Sequence, residues 1–377
     1  MDIMIILAIV PCCYDKSPGQ RFRMEQWEPL LRRAGIVIDF APFECEELHA
    51  SLYESGVVCR KLRLISRAWS RRARLLRSIR EYDAVYIFRE AAVLGPAFFE
   101  RRVSHAGVPL IFDFDDAIFV PYTSPSNGYL SLLKFPWKTG TICRLASHVM
   151  AGNTYLANYA RQFNEQVTVV PTTIDTEKYS LQLPHATPLP VIGWSGSHST
   201  LKYMEPLREP LRDLARRTQF RLRVIGARNY EIEGVDVEVL PWRSKTEVAD
   251  LRPIDIGLMP LPEDRWAKGK CGLKALQYMA LGIPSVCSPV GVNCEIIQDG
   301  ENGFLASTPE EWVDKLELLI RFVEIRQKLG SAGRATVEAR YSARVQAPRV
   351  QRIFEDVLDR RSNCDTVVRH RIEARSC

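Results

Sequence analysis

The sequence predicts an α/β protein of two domains, each built around a parallel sheet. Apolar runs of strand length alternate with segments of helical periodicity along most of the chain. The alternation stops at Pro171 and restarts at Val191, after an aperiodic stretch with Pro184, Pro188 and Pro190. A chain of 377 residues is long enough for two cores.

In the first half, strands are predicted near Ile3–Val10, Ile36–Ala41, Ala84–Phe88, Leu110–Asp113, His148–Ala151 and Val167–Val170. Helices are predicted near Arg21–Ala34, Val58–Arg80, Gly95–Ala106 and Thr154–Phe163. In the second half Val191–Trp194, Leu222–Gly226, Val235–Leu240, Ile254–Met259 and Ser285–Cys287 read as strands. A helix from Leu201 to Arg217 should bend near Pro206 or Pro210. Glu310–Leu329 reads as one amphipathic helix, and another follows Tyr341 to about Leu358. The expected boundaries are 1–180 for the first domain, 181–190 for the linker and 191–342 for the second domain. Residues 343–359 form a helix crossing back to the first domain, and 360–377 form a basic tail without structure.

Composition excludes several classes. Apolar residues make up 46% and charged residues 25%, as in an ordinary globular protein. The start, Met1–Val10, carries Asp2, lacks a basic flank and breaks at Pro11, so it reads as a buried strand and not a signal peptide. No apolar run reaches the roughly 18 residues of a spanning helix. The 10 cysteines are scattered without CxxC or Cys/His zinc spacing, so reduced thiols, no metal and a cytoplasmic location are expected.

Two clusters carry charge. Between Val57 and Arg80 lie nine cations and no carboxylate, from Arg60 to Arg80. Val58, Leu62, Ile65, Trp69, Ala73, Leu76 and Ile79 recur there at helical spacing and should pack on the sheet. The arginines would then face water or dock on an anionic membrane surface, where each is worth about 1 kcal/mol. No stacking platform or recognition motif points to nucleic acid. The second cluster is Lys268-Gly-Lys-Cys-Gly-Leu-Lys274, three lysines on a glycine-rich turn at the start of a helix that Gly282 and Pro284 end. Helix N-termini present unpaired amides and partial positive charge, so this turn predicts a phosphate site.

The stretch Gly272–Gly303, with Gln-Tyr-Met-Ala-Leu-Gly-Ile-Pro, Ser-Pro-Val-Gly-Val-Asn-Cys-Glu-Ile and Asp-Gly-Glu-Asn-Gly-Phe-Leu, resembles the donor-binding region of family 4 glycosyltransferases. Ile192-Gly-Trp-Ser-Gly196 with Lys202 resembles the first strand and phosphate loop of the same domain. Ser17-Pro-Gly-Gln-Arg21 resembles the family's acceptor-side loop. The resemblance implies the GT-B fold, two Rossmann-like domains facing a central cleft. It also implies retaining, metal-independent transfer from a nucleotide-diphosphate sugar, with no cofactor. Donor contacts would come from Gly196, Ser197, Lys202, Gly269, Gly272, Gln277, Gly291, Val292 and Asn293. The family carries two glutamates where Gly269 and Gln277 stand, and an arginine near Ser197. Gln277 can still hydrogen-bond ribose through its amide.

The chemistry fits that inference. Lys270 and Lys274 would stabilise charge developing on the leaving diphosphate. Asp113, Asp115 and Asp116 end an apolar strand, where one of them titrates high or pairs with a cation. Asp115 or Asp116 would orient the acceptor or take its proton. Gly19, Arg21, Arg89 and Glu90 fall on the acceptor side, and Arg89-Glu90 also reads as a local ion pair. The acceptor is read as a saccharide, free or lipid-linked, of a cell-envelope or exopolysaccharide pathway. Three alternatives stand beside this: a GT-B nucleotide-sugar epimerase, a non-catalytic sugar-nucleotide-binding protein, and, through the Asp-x-Asp of Asp113 and Asp115, a haloacid-dehalogenase-like phosphatase.

Overall fold

The computed structural model describes residues 3–52, 58–121, 135–181 and 189–373. The expected linker residues 182–188 and the end of the expected tail, 374–377, lie outside them. The chain divides into two compact units, residues 1–171 with 346–377, and residues 172–345.

The first unit is a six-stranded sheet in the order β2-β1-β3-β4-β5-β6. Its strands are β1 (Met4–Val10), β2 (Ile36–Pro42), β3 (Ala84–Phe88), β4 (Leu110–Phe114), β5 (His148–Ala151) and β6 (Val167–Val169). All pair in parallel. A parallel sheet is covered on both faces, which explains why Ile6–Val10, Ala84–Phe88 and Leu110–Phe114 are apolar runs without alternation. Asp113 is the exception, fully buried within β4. Arg23, also fully buried, satisfies it through Nε at 2.7 Å and Nη2 at 2.5 Å, and the Tyr86 hydroxyl donates to the same carboxylate. The predicted helix Arg21–Ala34 is interrupted at Arg23, whose backbone leaves the helical region (φ −125°, ψ −109°). It resumes as Gln26–Arg33.

The helix Val58–Leu75 forms, but its buried face differs from the predicted stripe. Leu64, Ala68 and Arg72 are buried, whereas Leu62 is 56% exposed and Ala73 faces solvent. Arg72 is the cause. Its guanidinium donates to the carbonyls of Ala91 (3.1 Å), Ala41 (2.8 Å) and Val10 (3.4 Å), which gives each of these backbone groups a side-chain donor. Arg71 likewise donates to the Phe43 carbonyl. Two cations of the basic cluster therefore act as struts. Arg60, Arg63, Arg67, Arg74, Arg77 and Arg80 remain exposed.

The second unit is a parallel sheet in the order β12-β11-β10-β7-β8-β9. Its strands are β7 (Val191–Ser195), β8 (Arg221–Ile225), β9 (Asp236–Leu240), β10 (Ile256–Met259), β11 (Ser285–Cys287) and β12 (Phe304–Leu305). Its core gathers Trp194, Met204, Leu211, Leu222, Leu258 and Leu316. The predicted bend falls between His198–Leu207 and Arg208–Arg217, at the two prolines. The predicted helix Glu310–Leu329 is two helices, Pro309–Arg321 and Val323–Thr336, because Phe322 is extended between them. A reciprocal cap between Thr308 and Glu311 starts the first of these.

Residues 172–180, expected in the first domain, pack with the second unit: Ile174 bridges to Ser342, and the Tyr179 hydroxyl joins a polar network there. The last helix runs Ala343–Glu373, so it continues through most of the segment expected to be an unstructured tail. No disulfide joins the described cysteines. Among the described residues, no helix is long and apolar enough to cross a membrane.

Candidate active site

In the second unit the chain moves outward from β7 to β9 on one side, and from β10 to β12 on the other. Ligands of open parallel sheets bind where the strand order reverses in this way, at the carboxyl ends. Here those ends are Ser195 and Met259. The helix Leu273–Ala280 is fastened across them: the Ser195 amide donates to the Tyr278 hydroxyl at 2.9 Å. A Cβ at Gly257 would lie 2.3 Å from the Tyr278 ring, so only glycine lets that ring seat on β10.

Gly272 caps the helix in the left-handed region (φ 71°), against Ile296 and Val292. Gly291, also left-handed (φ 57°), packs on the Lys268 backbone. The structure thus brings Gly269, Gly272, Gly291, Val292 and Asn293 into two abutting loops. Asn293 is fully buried; its Nδ2 donates to the Ser288 carbonyl at 2.9 Å, while its Oδ1 has no hydrogen-bond partner among the described residues. Gly196, following β7, lies against the Trp194 ring, and the carbonyl of Gly196 abuts Gly226.

The lysines divide. Lys274 Nζ sits 5.5 Å from the Trp194 ring centroid and Lys270 Nζ 5.4 Å from that of Trp266, both half-buried. An indole face attracts a cation through its quadrupole, and both lysines flank the N-terminus of the helix Leu273–Ala280. Lys268 pairs with Glu263 at 3.1 Å on the surface. Lys202 is exposed, over the Tyr203 ring. Ser197 closes a turn with Thr200.

Gln277 departs from its expected ribose role. It is 3% exposed, and its Nε2 donates to the Tyr179 hydroxyl at 2.9 Å. Tyr179 donates on to Glu247 at 2.8 Å, whose other oxygen accepts from Trp242 Nε1 at 3.0 Å. That amide is therefore a structural donor in a buried network.

In the first unit the order reverses between β1 and β3. Arg89, at the end of β3, is left-handed (φ 61°) and donates from Nε to Asp115 at 2.6 Å and from Nη2 to Asp116 at 2.8 Å. Burial opposes the guanidinium charge, and Asp115 followed by Asp116 more than compensates, so its pKa stands above the usual value. Gly19 lies directly on this group: a Cβ there would be 2.6 Å from Asp115 Oδ2 and 2.7 Å from Arg89 Nη2. Arg21 pairs with Asp15 at 2.8 Å, inside the same loop. Glu90 turns aside to Lys138 at 2.6 Å, so Arg89 and Glu90 do not pair with each other as read. Asp113 is enclosed by Arg23 and Tyr86, which removes the first carboxylate a dehalogenase-like phosphatase would need.

With this geometry in place, comparison with known proteins decides the class. Residues 189–321 match the family model for glycosyl transferases group 1. The chain carries a group 1 glycosyltransferase domain. No curated protein sequence matches the chain significantly. Solved structures do. Sucrose-phosphate synthase from Thermosynechococcus elongatus aligns at 12% identity and TM-score 0.67, over 94% of this chain and all but 1% of that one (99%). HepE from Anabaena, solved with UDP and glucose, aligns at 15% identity and TM-score 0.65, over 94% and 100%. A glycosyltransferase from Rickettsia africae aligns at 14% and 0.68, over 95% and 99%. At these identities the likeness is one of fold, and the fold is GT-B.

The glycosyltransferase domain holds its lysines with two indoles, Trp194 and Trp266, that sequence reasoning did not single out. Trp194 falls within the quoted Ile192–Gly196 motif, and a Trp one turn before the glycine loop was the available signal. Tyr179 and Glu247 were also missed; 68 residues separate them, and no local pattern joins them.

Proposed function

We propose that this chain transfers a glycosyl unit from a UDP-sugar to a saccharide hydroxyl, with retention and without Mg²⁺ or Mn²⁺ at the diphosphate, as a family 4 enzyme. The donor is bound by the second unit and the acceptor by the first. The observation that carries this reading is the pair Lys270 and Lys274 beside the N-terminus of Leu273–Ala280, at the strand-order reversal. As the glycosidic bond breaks, negative charge grows on the leaving diphosphate. Cations and amides already in place stabilise that charge without reorganising. Asn293 Oδ1, Gly196 and the Gly291 loop supply the remaining donor contacts. UDP is the first base to test because HepE was solved with it.

Asp115 and Asp116, held by Arg89, orient the acceptor hydroxyl. The exposed arginines of Val58–Leu75, from Arg60 to Arg74, together with Arg77 and Arg80, bring the enzyme to an anionic membrane surface carrying a lipid-linked acceptor of envelope or exopolysaccharide synthesis, from the cytoplasmic side. Calorimetry with UDP-, GDP-, ADP- and dTDP-sugars, followed by transfer assays in EDTA with NMR of the product anomer, tests this. Heat from UDP-sugars and a retained anomer are expected. Absence of binding by every sugar nucleotide overturns the reading.

A further inference from the structure

The chain that leaves β2 runs beside the exit of β1. The Phe43 amide donates to the Val10 carbonyl at 2.8 Å, and the Glu44 amide to the Pro11 carbonyl at 2.9 Å. This backbone register sets Glu44 opposite Cys12. The next helix, Glu46–Leu52, then brings His49 back over both. One donor atom each from Cys12, Glu44 and His49 lie within 4.8 Å of one another. His49 Nδ1 and Glu44 Oε2 already touch at 2.7 Å, and the Glu44 side chain is only 9% exposed.

We propose that Cys12, Glu44 and His49 bind a zinc-class divalent cation that ties the loop after β1 to the helix Glu46–Leu52. The donor set is one thiol, one imidazole and one carboxylate, which suits a borderline-soft ion and not Mg²⁺ or Ca²⁺. Bonds of about 2.0–2.3 Å in a tetrahedron place donors about 3.3–3.8 Å apart, so side-chain movements of about an ångström close the set. On binding, the Cys12 thiol gives up its proton to solvent and its sulfur bonds the ion. One thiolate and one carboxylate then balance the two positive charges, so a buried carboxylate is matched without net charge. Water completes the coordination.

The site has a structural consequence next to the acceptor group. The Gln20 side chain clamps the Cys12 peptide from both sides, accepting from its amide at 3.3 Å and donating to its carbonyl at 3.1 Å. Gly19, the neighbour of Gln20, rests on Arg89 and Asp115. A cation on Cys12 therefore holds in place the loop on which the acceptor residues lean. The diphosphate chemistry does not involve it, so this proposal stands apart from the assigned transfer reaction.

The test uses the full chain, freed of metal by chelation and titrated with Co²⁺ as a coloured substitute for Zn²⁺. A thiolate-to-cobalt charge-transfer band saturating at one equivalent is expected. Cys12→Ser should abolish the band, and Glu44→Gln and His49→Asn should each weaken Co²⁺ binding about tenfold or more. Zn²⁺ should raise the melting temperature of the wild type and leave that of Cys12→Ser unchanged. Far-ultraviolet circular dichroism and a cooperative urea transition confirm that each variant is folded. A missing band at saturating Co²⁺ overturns the proposal. So does a band that survives Cys12→Ser, or one indifferent to both Glu44→Gln and His49→Asn.

Discussion

Arg89 donates its Nε to Oδ1 of Asp115 over 2.6 Å, from a backbone held at φ 61°. A side chain tolerates that left-handed conformation only where its surroundings over-determine it. Here Asp115, Asp116 and the Asp113 carbonyl, which accepts from the Arg89 amide at 2.7 Å, do so together. The carboxylates are consequently presented as one fixed unit.

Gly19→Ala tests that unit. The added methyl would stand 2.6 Å from Asp115 Oδ2, so the pair must shift. Displacing an orienting group by about an ångström costs about 10²-fold in rate. Transfer to the acceptor should fall by that order while sugar-nucleotide affinity stays at the wild-type value. An unchanged kcat would remove the proposed acceptor role.

Lys270→Ala and Lys274→Ala should each lower kcat/KM for transfer by about 10²–10³-fold, the usual effect of losing one stabilising group at a developing anion. Lys268→Ala, whose parent side chain pairs with Glu263 on the surface, should change it little. Equal effects for all three would mean that general electrostatics, and not position, carries donor binding.

Gln277→Glu restores the residue type found at this position in the resembled family, yet it should destabilise the fold. The Tyr179 hydroxyl accepts from Gln277 Nε2 and donates to Glu247. A carboxylate in place of the amide removes the donor and sets a second acid beside Glu247. Losing one buried hydrogen bond of this kind costs about 1–3 kcal/mol. Urea unfolding should show a lower midpoint at pH 7; a higher one would mean that the network relaxes to accept the acid.

His148 gives stability a pH dependence. Burial, with Arg360 adding to it, lowers its pKa to about 4. The unfolded chain therefore binds a proton near pH 6.5, which the folded chain refuses until about 4. Stability from this group is complete above pH 6.5 and is lost as pH falls from 6.5 to 4, by roughly 3 kcal/mol over the window. Denaturation midpoints of His148→Gln should vary less across that window. Parallel pH profiles for variant and wild type would exclude His148 as the source.

The legible parts of this molecule are those whose cause is local. The continuous apolar run of β1 announces a strand buried on both faces, and Lys270, Gly272 and Lys274 announce a charged helix start within five residues. The illegible parts depend on partners fixed by tertiary register. Asp113 reads as one of three equivalent carboxylates until Arg23, 90 residues away, is seen to enclose it. Arg72 reads as solvated until three carbonyls are found around it. A helical stripe drawn from apolar residues alone then misjudges which face is buried. Cys12, Glu44 and His49 share no spacing that a metal motif would reveal, because paired strands and not sequence proximity bring them together.

The last helix carries one more implication, for synthesis on the ribosome. Val350, Phe354 and Val357 are buried in the first unit, where Phe354 meets the Tyr86 ring edge-on at 6.4 Å, and Arg361 donates to the Asp83 carbonyl. The first unit thus lacks part of its own interior until residues 350–357 have emerged. Domains generally fold in order of synthesis; in this chain the contiguous second unit is the one able to finish first, and the first unit must wait, partly open, for the helix that follows the second.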